Sequence, residues 1–304
     1  MINSSHRRFC RLCLAVAILA VSVMAQDSPY DVEPRPIRPR PPPEAPVQVE
    51  SISAEALETA RRDAASGSGT AACLRGLTTL VEFGSGADAP LFLARVNDDD
   101  LATRRCAFDG IWAHAVKHPG AVAAAVQGLR GKDSWIIEQS LLILGAQEPT
   151  RLRSPDPVTV LIVPAIGDIN PTAVGPLFDI LASRGSAAPA IAVGLRIGTP
   201  RPVTLAAVNA ASKSKASQFA RRIMALAEGR DTLLAVQAVK AVAAIEGRRA
   251  LEWYIDRLEI EEREPMLSEV ATALRVTTGQ MHGSDIKAWR RYAASRPPLA
   301  DSNE

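Results

Sequence analysis

The sequence predicts an all-α fold, an α-solenoid of about seven helix pairs closed by a C-terminal capping helix. Of the 304 residues 47% are hydrophobic but only 4% are aromatic, so a sizeable core must be built from small aliphatic side chains. After residue 51, Ala, Leu and Val recur at helical spacing, and Gly, Pro, Asp or Asn interrupt them about every dozen residues. This composition excludes wholesale disorder and collagen-like structure.

The second observation is an internal period. A small or β-branched residue begins the apolar face of every second predicted helix, at Ala107, Ser140, Val174, Ala206, Ala238 and Val270. Successive members are 32 to 34 residues apart, and one helical turn later stand Ile111, Leu144, Phe178, Ala210, Val242 and Leu274. A unit of this length without a strong strand signal is two helices and two turns. Such a pair buries both its faces only by stacking on its neighbours.

The N-terminus has the features of a targeting segment. Basic residues precede an apolar run from Leu12 to Val23, and Val23 and Ala25 are small enough for a signal-peptidase site. Residues 1–25 are therefore predicted to be a cleavable signal peptide. A retained anchor is the alternative, but the run is shorter than the ~20 residues that span a membrane. We therefore expect a periplasmic or secreted protein with no stable transmembrane segment after cleavage.

Cleavage also changes the charge. It removes three arginines and no acid, so the formal charge falls from +2 to −1. A chain this close to neutral lacks the basic footprint of a nucleic-acid-binding protein.

Residues 26–50 are predicted to be a proline-rich disordered spacer. Asp27 to Val49 contains eight prolines and no apolar periodicity, which favours polyproline II and cannot form a core. A ligand for a proline-recognition groove, or for an anionic surface, is the alternative. The solenoid is assigned to residues 51–296, and residues 297–304 are predicted to be a disordered tail.

One segment inside the predicted solenoid is ambiguous. Residues 158–163 (VTVLIV) form a β-branched run that in isolation indicates a buried strand. We predict a helix, because the period passes through the run and a lone strand would have no partner. Pro157 and Pro171 suit the first turns of helices, whereas Pro164 and Pro176 indicate a shortened or kinked unit.

Two stretches resemble HEAT repeats. Ala89 to Ala115 has an apolar first helix, an acidic turn at residues 98–100 and an Arg104-Arg105-x-Ala107 start to its second helix. The segment from Ala273 to Trp289 is similar to the closing segment of exported bacterial HEAT-repeat proteins. The resemblance implies an α-solenoid.

The chain also departs from the HEAT pattern. The position of Arg104 is occupied in the other units by Ile137, Pro171, Val203, Ala235 and Leu267. A ladder of arginines along one face is therefore absent, and a binding mode that relies on such a ladder is not expected.

Two cysteines remain after signal cleavage. Cys73 and Cys106 are 33 residues apart, so we expect equivalent places on the second helices of adjacent pairs. A disulfide between the two repeats and a pair of buried free thiols are both compatible with this spacing.

His114 and His118 are four residues apart, a spacing that can hold a metal on one helix face. The HExxH glutamate is missing, so surface or groove histidines are the favoured interpretation. The mature chain contains no GxSxG, phosphate loop or CxxC motif. No catalytic residue, metal or cofactor is assigned.

The charged and aromatic clusters receive structural interpretations. A basic cluster is interpreted as a solvated turn rather than an anion site; it contains Lys213, Lys215, Arg221 and Arg222. The acidic run Glu259–Glu264 is interpreted as a solvated helix end. The expected core aromatic residues are Trp112, Trp135, Trp253 and Tyr254. Trp289 and Tyr292 are expected to close the exposed end of the array.

These observations predict an exported, non-catalytic scaffold that binds protein partners. Two alternatives remain open. One is an envelope-associated structural protein tethered by the proline-rich segment, and the other is an enzyme or enzyme subunit with a groove site near His114 and His118.

Overall fold

A computed structural model describes residues 52–67, 69–148 and 156–295. All of them belong to the second of two compact units, Ser51–Glu304. They form fifteen α-helices and contain no β-strand, which confirms the all-α prediction for this part of the chain. The predicted signal peptide, spacer and C-terminal tail lie outside the described residues.

The helices are numbered in chain order. They are α1 (Ala54–Ala65), α2 (Ala71–Phe83), α3 (Ala89–Leu93), α4 (Leu101–Gly110), α5 (Pro119–Gly128), α6 (Ser134–Gly145), α7 (Pro157–Ala165), α8 (Pro171–Ser183), α9 (Ala187–Gly194), α10 (Arg201–Lys213), α11 (Ala220–Ala227), α12 (Thr232–Ile245), α13 (Leu251–Ile260), α14 (Glu264–Thr278) and α15 (Ile286–Ala294). A π-helical turn, Ile111–Ala115, follows α4.

The helices are arranged in two rows. Each even-numbered helix from α2 to α12 contacts the next even-numbered helix, so that α2 to α14 form one continuous row. Odd-numbered helices pack against each other from α1 to α9, and α15 packs against α13. The main contacts therefore join elements that are one or two helices apart in the chain.

The periodic residues lie where this arrangement needs small or apolar side chains. All six residues of the series from Ala107 to Val270, and all six that follow them by one turn, are buried. They lie on the even-numbered helices or, for Ile111, at the end of α4. The period read from the sequence thus marks the buried face of the even-numbered row.

Side-chain caps fix the starts of several helices. Asp100 is the N-cap of α4, and its Oδ2 accepts a hydrogen bond from the backbone N–H of Thr103 at 2.8 Å. Asp133 and Asp231 cap α6 and α12 in the same way. These carboxylates satisfy backbone donors that have no partner inside a helix, as expected for the acidic turn before α4.

Residues 158–163 lie in helix α7, as predicted. Pro157 and Pro171 occupy the first positions of α7 and α8, where a missing N–H costs nothing. Pro164 stands near the end of α7, which has only nine residues. Pro176 lies inside α8, which nevertheless extends over 13 residues, so the expected shortening applies to α7 alone.

Ion pairs link neighbouring even-numbered helices. Arg105 of α4 pairs with Asp133 at 2.6 Å, and Lys213 of α10 reaches back to Asp179 of α8 at 2.5 Å. The partners of such pairs are separated by about one period, 28 residues in the first and 34 in the second. Most of these side chains are partly exposed, so each pair contributes at most about 1 kcal/mol.

Among the described residues, no helix combines the length and apolar character needed to cross a membrane.

Candidate functional site

The π-helical turn after α4 places two side chains of interest. Gly110, immediately before it, packs against α3 so closely that a Cβ there would lie 2.1 Å from a ring carbon of Phe92. The chain then widens into the π turn, which carries Trp112 and His114. Single π turns inside helical segments occur frequently at functional sites.

His114 holds the π turn against α2. Its Nε2 donates a hydrogen bond to the carbonyl oxygen of Val81 at 2.9 Å, and its ring stacks on Phe92 with centroids 6.4 Å apart. Val81 lies in the last turn of α2, where carbonyl oxygens have no N–H partner within the helix. His114 therefore has a structural role at this position.

The expectation that His114 and His118 share one helix face is wrong. The helix ends between them, and His118 is the N-cap of α5, where its Nδ1 accepts the N–H of Gly120 at 3.1 Å. The two rings thus serve different backbone groups. Across the described part of the chain, no group of three or more His, Cys, Asp or Glu side chains could hold a metal ion.

The two cysteines are free thiols, and their places are not equivalent. Cys73 is the third residue of α2, whereas Cys106 is the sixth residue of α4. The Cys73 thiol lies 3.5 Å from the carbonyl oxygen of Ala64, and the Cys106 thiol lies 3.7 Å from the hydroxyl of Thr78. Neither thiol forms a disulfide in the structure, and Cys73 is buried whereas Cys106 is half-buried.

Burial also makes these thiols weak acids. It raises the pKa of Cys106 to about 11 and also raises the pKa of Cys73. Both thiols remain protonated at neutral pH, which suits inert core residues rather than nucleophiles.

An open apolar cleft lies beside the π turn. It has a volume of 420 Å³ and is bounded by Trp112, by the last two turns of α6 and by Ile180 of α8. Leu141, Leu142 and Gly145 supply its α6 wall. We call this the tryptophan cleft.

Trp112 was expected in the core, and this expectation is wrong. Its side chain is 37% exposed, because it lies on the side of the even-numbered row that faces the cleft. Tyr254 is fully buried, as expected, and Trp135 and Trp253 are half-buried. Trp135 also donates its indole N–H to Asp109 at 3.0 Å.

Few polar groups interrupt the tryptophan cleft. Glu138 at its rim is the charged side chain in the lining, and within the described residues it forms no ion pair. The indole N–H of Trp112 likewise has no acceptor in the described part of the chain. The cleft thus offers an aromatic face, one hydrogen-bond donor and one carboxylate to whatever binds there.

The acidic run at residues 259–264 is not simply a solvated helix end. Glu261 is buried in the turn between α13 and α14, and it accepts hydrogen bonds from Arg257 and Arg263 at 2.6 to 3.1 Å. The Arg263 guanidinium, backbone N–H groups and Arg257 hold the pKa of Glu261 at about 2. This cluster stabilises a turn and contributes no binding surface.

The basic residues near the end of α10 do not converge on an anion site. Lys213 is paired with Asp179, and Arg222 donates to the carbonyl oxygen of Ala192 at 3.4 Å. These two side chains thus serve different groups.

The sequence analysis did not predict the tryptophan cleft. The run from Leu141 to Leu144 at the end of α6 is apolar on every side of the helix, which signals that part of this helix faces away from the core.

Comparison with known protein families gives no match, and comparison with curated proteins gives none either. The resemblance to HEAT repeats therefore depends on the residues quoted above.

Proposed function

We propose that helices α1 to α14 form an α-solenoid of seven HEAT-like pairs, that α15 caps it, and that the protein is a non-catalytic scaffold for protein–protein interaction. Three features support the architecture: the period near 33 residues, the continuous row of even-numbered helices and the ion pairs one period apart. The signal peptide predicted at residues 1–25 would deliver this scaffold to the periplasm or the exterior.

The tryptophan cleft is the observation that carries the binding role. An exposed tryptophan beside a concave apolar surface can receive an apolar side chain of a partner protein. Tryptophan is enriched among the residues that dominate interface energies, and an unpaired indole N–H can bond a carbonyl of the partner. A volume of 420 Å³ accommodates one or two apolar side chains of a partner protein.

Site-specific crosslinking tests this role. A photoreactive phenylalanine derivative replaces Glu138 at the cleft rim, or Val276 on α14 as a control, and the full chain is irradiated in an envelope extract of the producing organism. We expect one discrete crosslinked protein from position 138 and none from position 276, which is also exposed.

Trp112→Ser supplies the second arm of this experiment. Loss of an interface tryptophan costs about 2 kcal/mol or more, so crosslinking from position 138 should fall at least tenfold. Val276→Ser removes an exposed apolar side chain elsewhere and should leave the crosslink unchanged. A crosslink that persists in Trp112→Ser would contradict the proposed binding role.

A further inference from the structure

A second cleft lies on a different side of the same region. It has a volume of 570 Å³ and opens between the turn that precedes α4 and the turn that joins α5 to α6. These are equivalent turns of two neighbouring helix pairs. We call this the turn cleft.

The rim of the turn cleft carries an excess of positive charge. Arg104, Arg130 and Lys132 line it, and Asp133 is its carboxylate. That carboxylate is already occupied, because both its oxygens accept hydrogen bonds from Arg105, at 3.1 and 2.6 Å. Asp133 therefore does little to neutralise the three cations.

The three cations are engaged to different degrees. Lys132 has no ion pair among the described residues, whereas Arg130 lies 3.9 Å from the exposed Asp168 and donates through Nη1 to Gln127 Oε1 at 3.3 Å. Arg104 donates through Nη1 to the carbonyl oxygens of Asp98 and Asp99, which fixes its guanidinium. The remaining donors of these side chains are available to a ligand.

Beneath the cationic rim the turn cleft is apolar. Val96, Leu101, Phe108 and Ile136 contribute to its lining, and Leu101 is 38% exposed although it is a large aliphatic residue. A ligand that fits this surface has an apolar part for the floor and negative charge for the rim.

We propose that the turn cleft binds an acidic peptide segment of a partner protein, with an apolar side chain of that segment on the floor and carboxylates at the rim. The inference deepens the proposed function and rests on it. The exposed amide of Asn97 also lines the cleft and can pair with both the N–H and the C=O of a peptide backbone, whereas Gln127 Oε1 accepts from Arg130. A peptide can place an apolar side chain, carboxylates and backbone amide groups in one cleft, which is the reason for choosing it over an anionic membrane.

Peptide binding tests this inference on the full chain. The probe is a fluorescein-labelled peptide in which Asp-Glu pairs flank a central Leu-Phe, and the matched probe has Asn-Gln pairs in their place. Fluorescence anisotropy should show tighter binding of the acidic probe, and its affinity should fall as salt is added.

Charge reversal locates the site. Lys132→Glu should weaken binding of the acidic probe roughly tenfold, and Leu101→Ser should weaken binding of both probes. Lys287→Glu makes the same charge change at an exposed position on α15 and should have little effect. Equal affinity for the two probes, or equal effects of Lys132→Glu and Lys287→Glu, would overturn the inference.

Two further measurements separate this inference from its alternatives. The first uses vesicles of phosphatidylglycerol and phosphatidylcholine. If the vesicles bind the chain, Lys132→Glu abolishes that binding and the peptide does not bind, the cleft is a membrane site instead. Trp112→Ser should leave peptide affinity unchanged, and Lys132→Glu should leave the crosslink at position 138 in place. Failure at one cleft can therefore be distinguished from failure at the other.

Discussion

A buried carboxylate holds the turn between α13 and α14 together. Glu261 receives the N–H groups of two arginines and of the backbone at Glu262 and Arg263. Arg263 also donates to the carbonyl oxygens of Ala227, the last residue of α11, and of Gly229 just beyond it. Glu261 and Arg263 together thus join the ends of α11 and α13 to the start of α14. Such pairing and hydrogen bonding is what makes a buried charge stable.

This residue makes stability depend on acidity. The pKa of Glu261 is lowered from 4.5 to about 2 in the folded chain, so its contribution is complete above about pH 4.5 and is lost as the pH falls towards 2. The shift corresponds to about 3 kcal/mol at neutral pH. Glu261→Gln should lower the free energy of unfolding by about this amount near pH 7 and by much less near pH 3.

Denaturant unfolding at the two pH values measures the effect. Glu262→Gln changes the neighbouring exposed carboxylate and serves as the control. If the two variants lose the same stability at both pH values, Glu261 does not carry the acid dependence.

Close approach between helices depends on glycine at a few positions. A Cβ on Gly76 of α2 would lie 2.4 Å from the backbone nitrogen of Ala64 and 2.5 Å from the carbonyl oxygen of Ala60, both in α1. Gly167, in the turn between α7 and α8, is different, because a Cβ there would meet no atom within 4 Å. The first glycine is needed for packing, and the second is not.

The two glycines predict opposite effects of one substitution. Gly76→Ala should destabilise the protein by about 2 kcal/mol or more, since backbone atoms must move. Gly167→Ala should stabilise it by about 0.4–1 kcal/mol, because alanine loses less conformational entropy than glycine when the chain folds. The denaturant midpoint of each variant measures these changes, and a shift in the same direction for both would refute the packing argument.

The sequence predicts the helices better than their phase. The period locates twelve buried positions because burial of one helix face imposes it directly on the side chains. The residue at which each helix begins depends on the lengths of the turns, and these lengths cannot be read from the period. Helices α2 and α4 begin at Ala71 and Leu101, only 30 residues apart, so Cys73 and Cys106 differ by three positions, or about 4.5 Å along a helix axis.

The candidate sites were harder to anticipate for a related reason. Tryptophan is a residue type that usually packs in a core. The exposure of Trp112 depends on which side of the even-numbered row is left uncovered by other helices. The separation of His114 from His118 depends on a helix end and a π turn, which four-residue spacing does not reveal. The turn cleft brings together residues from two successive pairs, which no local pattern marks.

At the scale of the whole described region, the last helix, α15, packs on α13. Trp289 of α15 is fully buried, its indole N–H donates to the carbonyl oxygen of Gly283 at 2.9 Å, and the rings of His282 and Tyr292 pack around it. Arg290 pairs with acidic residues of α13 on the outer side, among them Asp256 at 2.6 Å. These contacts suit the capping helix predicted from the sequence.

Removal of α15 should therefore destabilise the C-terminal end. A chain that stops at Ser284 should melt several degrees lower, since each kcal/mol corresponds to about 2–4 °C for a protein of this size. Hydrogen exchange should increase first in α13 and α14. A chain that stops at Ser295 keeps α15 and is the control, and equal melting of the two truncated chains would count against a cap.

The tryptophans give the N-terminal and C-terminal parts of the described region separate optical reporters. Trp112, exposed beside α6, should emit at long wavelength and be reached by a dissolved quencher such as iodide, whereas Trp289 is buried on the inner face of α15. Chains that retain one of these tryptophans and carry phenylalanine at the other three positions would report each part by itself. Because the main helix contacts join near neighbours along the chain, unfolding that starts at one end would appear at one reporter before the other.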